Sequence, residues 1–301
     1  MRYVITQLYF GFDHEIEISE DDFNALQEAR SMILLLSSFE EKFMLVLENY
    51  EELEQEMIAL SLHRMIFEDR SNPTFIDNLR LLNRRFANLL TTCRLYKDHS
   101  AHHVSTIYGK DSKQFKDYAQ LHSKYYEQNA GYRTMEAARN FLQHRSLIIS
   151  GITYKIDREK EENHESHLAV INLNTHRLRE EGGFKSTILL ELETIATDKG
   201  NVDIRPLVRE YISSLVEIHL ELRKLFEDVA TKFDTMILDT INRLNSLANE
   251  NNDSVYVVAY KGENEISKEV PLLRDFIERR HRIVNKTRYI KLHSTSYVIS
   301  K

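Results

Sequence analysis

Three prolines and eight glycines in 301 residues constrain this chain more than any motif does. β-Sandwiches and barrels need a turn about every 8–12 residues, and turns draw heavily on those two residue types. A chain so poor in them reads as helical, because helices run long without punctuation. Hydrophobic residues make up 42% and charged residues 29%, which is enough apolar material for a real core. The same scarcity of glycine removes several familiar sites. There is no Gly-x-Gly-x-x-Gly, no Gly-x-x-x-x-Gly-Lys-Ser/Thr and no Gly-x-Ser-x-Gly.

Cys93 is the single cysteine, so no disulfide forms within the chain and no thiolate zinc site can be built. No stretch approaches the ~20 apolar residues that span a bilayer. The opening Met-Arg-Tyr-Val-Ile-Thr-Gln-Leu soon meets Asp13, Glu15 and Glu17, which does not suit a secretory signal. A cytoplasmic protein with no membrane partner is the expectation. A net charge of −7 argues against indiscriminate coating of nucleic acid.

The fold expected is mainly α, a helical bundle with long antiparallel helices and minor β strands or hairpins. Residues 2–18 alternate loosely around Gly11 and read as a hairpin or two edge strands. Ser19 with Asp22 resembles a capping box, and Ser38 with Glu41 offers a second helix start. Asn72-Pro73 breaks the chain, and a stripe from Phe75 to Cys93 follows it. Gly109–Ser112 and Asn129-Ala130-Gly131 are turns, each leading into a helix, the second reaching about Arg145. Leu147–Tyr154 is β-branched and extended, with His167–Asn174 as its partner strand. Arg158–Glu165 reads as a solvated loop. Asp203 and Pro206 open what reads as the longest helical pattern. Beyond it come a strand at Ser254–Tyr260, a helix at Val270–Val284 and an extended Arg288–Ser300. The division expected is an N-terminal β segment at 1–19, a helical bundle at 20–155, and a C-terminal region at 156–301. That last region carries a long helix at about 204–249 and short strands.

One hexapeptide carries chemistry: Arg139-Asn140-Phe141-Leu142-Gln143-His144. On a helix, with Arg139 at zero, Gln143 falls near ~40°, Asn140 near ~100° and His144 near ~140°. Met135, Ala138, Phe141 and Leu142 take the opposite side and can pack into a bundle. Asn140 and His144 are i, i+4 neighbours. A guanidinium, an amide and an imidazole therefore share one face. Such a set suits phosphodiester transesterification. His144 removes a 2′-hydroxyl proton, Arg139 stabilises the charge gathered on phosphorus, and Asn140 orients. No metal and no cofactor is required by this scheme.

Arg and His stand at this spacing five times, at 94/99, 139/144, 158/164, 274/281 and 288/293. Arg139/His144 alone joins an adjacent Asn to a clean polar arc, with Arg274-Asp275 and His281 as the rival. Arg-Asn followed by four residues ending in His, late in a helical bundle, resembles the Arg-x4–6-His motif of HEPN-family ribonucleases. The wider Ala-Arg-Asn-Phe-Leu-Gln-His-Arg-Ser-Leu is similar to the motif helix of HEPN-like proteins from bacterial abortive-infection and toxin systems. The resemblance covers residues 20–150, closely over about ten of them. It implies a metal-independent endoribonuclease, a homodimer whose two motifs face each other, and products ending in a 2′,3′-cyclic phosphate and a 5′-hydroxyl. A toxin or antiphage role, restrained by an antitoxin or other regulatory protein, goes with it.

Between Arg133 and Lys155 there are four bases and one acid, so RNA phosphate is welcome here although the chain as a whole is acidic. Gln143, Arg145, Arg133 and Tyr132 are the expected substrate-binding residues, with Tyr154 as a second stacker. His99, His102 and His103 beside Asp98 are spaced for metal, but no Cys or carboxylate partner is evident elsewhere. His164-Glu165-Ser166-His167 falls short of His-Glu-x-x-His. The alternative function is a non-catalytic HEPN-like scaffold that binds a protein or nucleotide partner.

Overall fold

From Glu20 to Phe67 the sequence contains neither glycine nor proline, and the computed structural model carries it as one uninterrupted helix, α1. The structure describes residues 1–8, 14–67, 72–159, 164–249, 252–262 and 265–292. The start of α1 is the capping box read from the sequence. Ser19 Oγ accepts from the Asp22 amide at 3.0 Å, and the Asp22 carboxylate accepts the Ser19 amide at 3.3 Å. The second cap at Ser38 and Glu41 is not used. With no breaker present, the helix runs through it, and α1 at 48 residues exceeds the 44 of the helix beginning at Arg205.

The remaining elements follow in chain order. Strands β1 (Arg2–Thr6) and β2 (Ile16–Ile18) precede α1, and Gly11 between them lies outside the described residues. After α1 come α2 (Asn72–Tyr108), α3 (Lys113–Gln128) and α4 (Ala130–His144). Strands β3 (Gly151–Glu159) and β4 (His164–Asn174) lead to α5 (Thr175–Glu181), α6 (Ser186–Ile195) and β5 (Asn201–Asp203). Helix α7 (Arg205–Ala248), strands β6 (Ser254–Lys261) and β7 (Glu265–Leu273), and α8 (Arg274–Lys286) complete the set. The fold is mainly α, with two small antiparallel sheets among the described residues.

Several expectations are corrected here. Arg158–Glu165 is not all loop, since β3 and β4 carry its two ends in a ladder from Gly151↔Asn172 to Glu159↔His164. The helix expected at Val270–Val284 begins only at Arg274, because residues 265–273 form β7. Pro271 is tolerated there, since β7 is an edge strand and needs no second ladder. The extended segment expected at Arg288–Ser300 falls largely outside the described residues.

The chain divides into two compact units. The first unit joins Met1–Glu41 to Glu221–Tyr289. Its sheet has the order β2-β1-β6-β7, so β1 is an interior strand rather than an edge. Ile5, Val255, Val257 and Leu272 cover Phe23, Leu26 and Ile33 of α1. Phe233, Ile237, Ile241 and Leu244, one stripe of α7, complete that core. Two buried carboxylates, Glu40 and Asp234, fix the polar positions. Arg223 clamps Glu40 at 2.9 and 2.6 Å, and Asp234 joins both Arg280 and His281.

The second unit, Lys42–Leu220 with Ile290–Lys301, contains α2, α3, α4, the sheet β3-β4-β5, α5 and α6. Its core includes a fully buried His219, stacked on Phe43 at 3.7 Å and bonded through Nδ1 to the Tyr96 hydroxyl at 3.0 Å. The turn before α3 is built as its residues dictate. Gly109 takes φ +89°, and Ser112 Oγ accepts from the Phe115 amide at 3.1 Å. Ser112→Ala is expected to cost about 1 kcal/mol, read as a lower thermal midpoint with native far-UV CD retained.

Candidate functional site

Helix α4 is enclosed at its start and open at its end. At the start, Gly131 brings the backbone so close to α7 that an added Cβ would lie 2.3 Å from the Leu207 carbonyl oxygen. The Glu210 carboxylate accepts the Gly131 amide, which satisfies one orphan N–H of the first turn and suits the positive end of the helix. Asn129, just before the helix, donates instead to Ser214 Oγ at 2.8 Å. Tyr132, Met135, Ala138 and Phe141 are buried, and Phe141 meets Phe184 edge-on at 5.8 Å. The helix stops at Arg145, whose φ of −135° and ψ of −83° leave the helical region. Beyond it Asn83 pins the extended backbone, donating to the Ile149 carbonyl at 2.9 Å and accepting its amide at 3.0 Å.

A polar cluster sits beneath this half of α4. Glu136 turns inward, accepting from the Tyr211 hydroxyl at 3.0 Å and pairing with Lys97 at 3.2 Å. The Tyr132 hydroxyl lies 2.6 Å from His122 Nδ1. Burial raises the Tyr132, Tyr118 and Tyr211 phenols and the Cys93 thiol well above their ordinary values, so all four stay neutral. Burial, and then Lys97, pushes His122 down to about 3. Burial, and then Lys42, pushes His103 down to about 4.

Both imidazoles are therefore neutral in the fold and take up protons near pH 6.5 only when the chain unfolds. The unfolded state binds more protons below pH 6.5, so stability falls as pH drops from there toward 4. Going from pH 7 to 5.5 is expected to remove about 1 kcal/mol for each group. Urea melts at the two pH values check this, and His122→Gln should flatten part of the slope.

The last turns of α4 emerge. Asn140, Gln143, His144 and Arg145 are exposed and Arg139 is half-buried, which matches the arc read from the sequence. Arg139 Nη1 donates to Asn140 Oδ1 at 3.1 Å. Asn140 thus steadies the guanidinium. Among the described residues neither Arg139 nor His144 has an ion-pair partner. They stand five positions apart, about 7.5 Å along the axis, so one phosphodiester group with its sugar fits between them.

The expected substrate-binding residues divide. Gln143 stays open to solvent beside His144. Arg145 lies over the α5–α6 loop, where a Cβ on Gly183 would come 2.6 Å from its Nε, and Gly183 has φ +86°. Tyr132 is corrected, because it is fully buried and offers no face to a base. Arg133 is corrected as well. It pairs with Glu191 at 2.6 Å and donates to the Glu127 carbonyl at 3.1 Å, so its charge is already used. Tyr154 lies beneath the Arg64 guanidinium at 5.3 Å. The sequence reading missed Gly183 and Phe184, which flank the site. The Gly182-Gly183 pair was their only local signal.

The rival pairs are engaged elsewhere. Arg274 binds Asp253 at 3.2 Å and Asn242 at 2.8 Å, while His281 Nε2 contacts Asp234 at 3.0 Å. Arg94 is held by Asp98 at 2.8 Å. His293 lies outside the described residues, and so does the side chain of His164. In the histidine cluster, the rings of His99 and His103 stand 6.2 Å apart, and His103 is buried. No described group of three or more His, Cys, Asp or Glu is placed to hold a metal ion.

No protein-family model, characterised protein or solved structure matches this chain. Among the described residues no helix is long and apolar enough to cross a membrane.

Proposed function

We propose that the chain is a metal-independent endoribonuclease of HEPN type, with Arg139, Asn140 and His144 as its working residues. The observation that carries this reading is the emerging end of α4, where a half-buried guanidinium and an exposed imidazole, neither with an ion-pair partner among the described residues, stand on one polar arc. His144 takes the 2′-hydroxyl proton, and the oxygen attacks the adjacent phosphorus. The P–O5′ bond breaks, the 5′-oxygen leaves with the proton that His144 returns, and a 2′,3′-cyclic phosphate remains. Arg139 donates to the non-bridging oxygens as charge gathers on them, and Asn140 keeps the guanidinium aimed.

The resemblance extends the proposal to a HEPN-type helical bundle and to a cytoplasmic homodimer whose two motifs face one RNA. It also extends it to a toxin or abortive-infection role under a regulatory partner. Incubation with total RNA in EDTA, followed by analysis of the product ends, tests the chemistry. Cyclic-phosphate ends that persist in EDTA are the expected result. Cleavage abolished by EDTA overturns the mechanism, and absence of cleavage favours the non-catalytic scaffold.

A further inference from the structure

A second basic element lies in the first compact unit, far along the sequence from α4. From Arg279 to Tyr289 the chain reads Arg-Arg-His-Arg-Ile-Val-Asn-Lys-Thr-Arg-Tyr, with five permanent cations and no acid, inside a protein of net charge −7. The structure sorts these residues into anchors and free groups. Arg280 turns inward to the carboxylate of Asp234, which the half-exposed His281 also reaches. Thr287 is buried and accepts from Arg223 Nη2 at 2.8 Å, and Ile277 is buried in the core. These contacts hold α8 at both ends.

What is left faces solvent. Arg279 is shared with Glu41 at 3.2 Å, both side chains being about half exposed. Arg282, Lys286 and Arg288 are exposed and have no ion-pair partner among the described residues. Arg279, Arg282 and Lys286 stand at i, i+3 and i+7, so they form one stripe about 10 Å long. Tyr289 ends the stripe with 81% of its surface open, and the Arg288 guanidinium lies over its ring at 5.3 Å. A helix C-terminus favours cations only in its last turn, which does not account for Arg279 and Arg282.

We propose that this face of α8 binds a single-stranded polynucleotide. The stripe tracks consecutive phosphates, and Tyr289, backed by Arg288, stacks on a base with its free side. An anionic lipid surface suits the cations but not the rest. None of the apolar residues of α8 is fully exposed for insertion, since Ile277 is buried and Phe276, Ile283 and Val284 are partly covered, and an aromatic plane backed by a guanidinium is a base platform. This binding needs no residue of α4.

The test uses the full chain and fluorescent oligonucleotides of about 12 nucleotides, one of 2′-O-methyl RNA and one of DNA, read by anisotropy across a salt series. Neither probe has a 2′-hydroxyl, so neither can be cleaved by the proposed chemistry and the outcome is independent of the nuclease reading. Tyr289→Ala should weaken binding about 5- to 150-fold, and Tyr289→Phe should restore it. Arg282→Gln with Lys286→Gln should reduce the salt slope by about 1.4, two phosphate contacts. Equal binding of both probes supports a generic phosphodiester strand, and preference for the RNA analogue supports an RNA site. No binding by the wild type at low salt overturns the proposal, as do unchanged affinities in the variants. Loss of binding to anionic phospholipid vesicles without loss of oligonucleotide binding assigns the face to lipid and also overturns it.

Discussion

His144→Ala is expected to lower RNA cleavage by about 100- to 10,000-fold, the range that a positioned general acid–base supplies. The fold should not respond, because the imidazole is exposed and has no partner among the described residues. A surface change of this kind shifts stability by about 0.5 kcal/mol or less. The two readouts together separate a chemical role from a structural one. Arg139→Lys is the companion variant. It keeps the charge and loses the planar fork, so activity should fall while affinity for an uncleavable RNA changes little. Wild-type cleavage by His144→Ala, with the same product ends, would remove α4 from the mechanism.

The second large effect concerns Gly131→Ala, and its sign runs against helix propensity. In an exposed helix interior the change would stabilise by about 1 kcal/mol. Here the added methyl meets the Leu207 carbonyl oxygen at 2.3 Å and the Glu210 side chain at 2.7 Å. A carboxylate can swing aside, but a helical backbone carbonyl cannot. The expected loss is about 3 kcal/mol, the upper end of overpacking, and a fall of about 5–10 °C in the thermal midpoint. Cleavage should fall with it, since Gly131 sets how α4 is seated. A midpoint equal to or above wild type would show that α4 and α7 separate freely at this point.

Most of the helical framework was legible, because long amphipathic stretches leave a strong periodic trace. The strand pair β3–β4 was legible too, from its β-branched residues. What escaped were short elements with little to bury. Helix α5 has seven residues and buries only Thr175 and Leu178, so no period can show. β7 was hidden by Pro271, which an edge strand can accept. The site was half legible for a related reason. A helical projection puts Tyr132 near the same direction as Arg139, at about 20°. It carries no record that α3 and α7 enclose the first half of α4 while leaving the second half bare. Tertiary neighbours decide that, and they are distant in sequence.

β1 and β6 have one more consequence, for the order in which the protein is made. Val4 pairs with Val258, and Tyr3 with Ala259. A ribosome adding about 5–20 residues per second has to synthesise everything from β1 through β6 before that pairing can close. Until then β1 has only β2 beside it, and a two-stranded hairpin is marginal in water. Residues 42–220 emerge in one continuous run and can condense early. The β1 segment, although synthesised before residues 42–220, therefore reaches its native partner after they can condense, and during that wait it is the natural client for a holding chaperone.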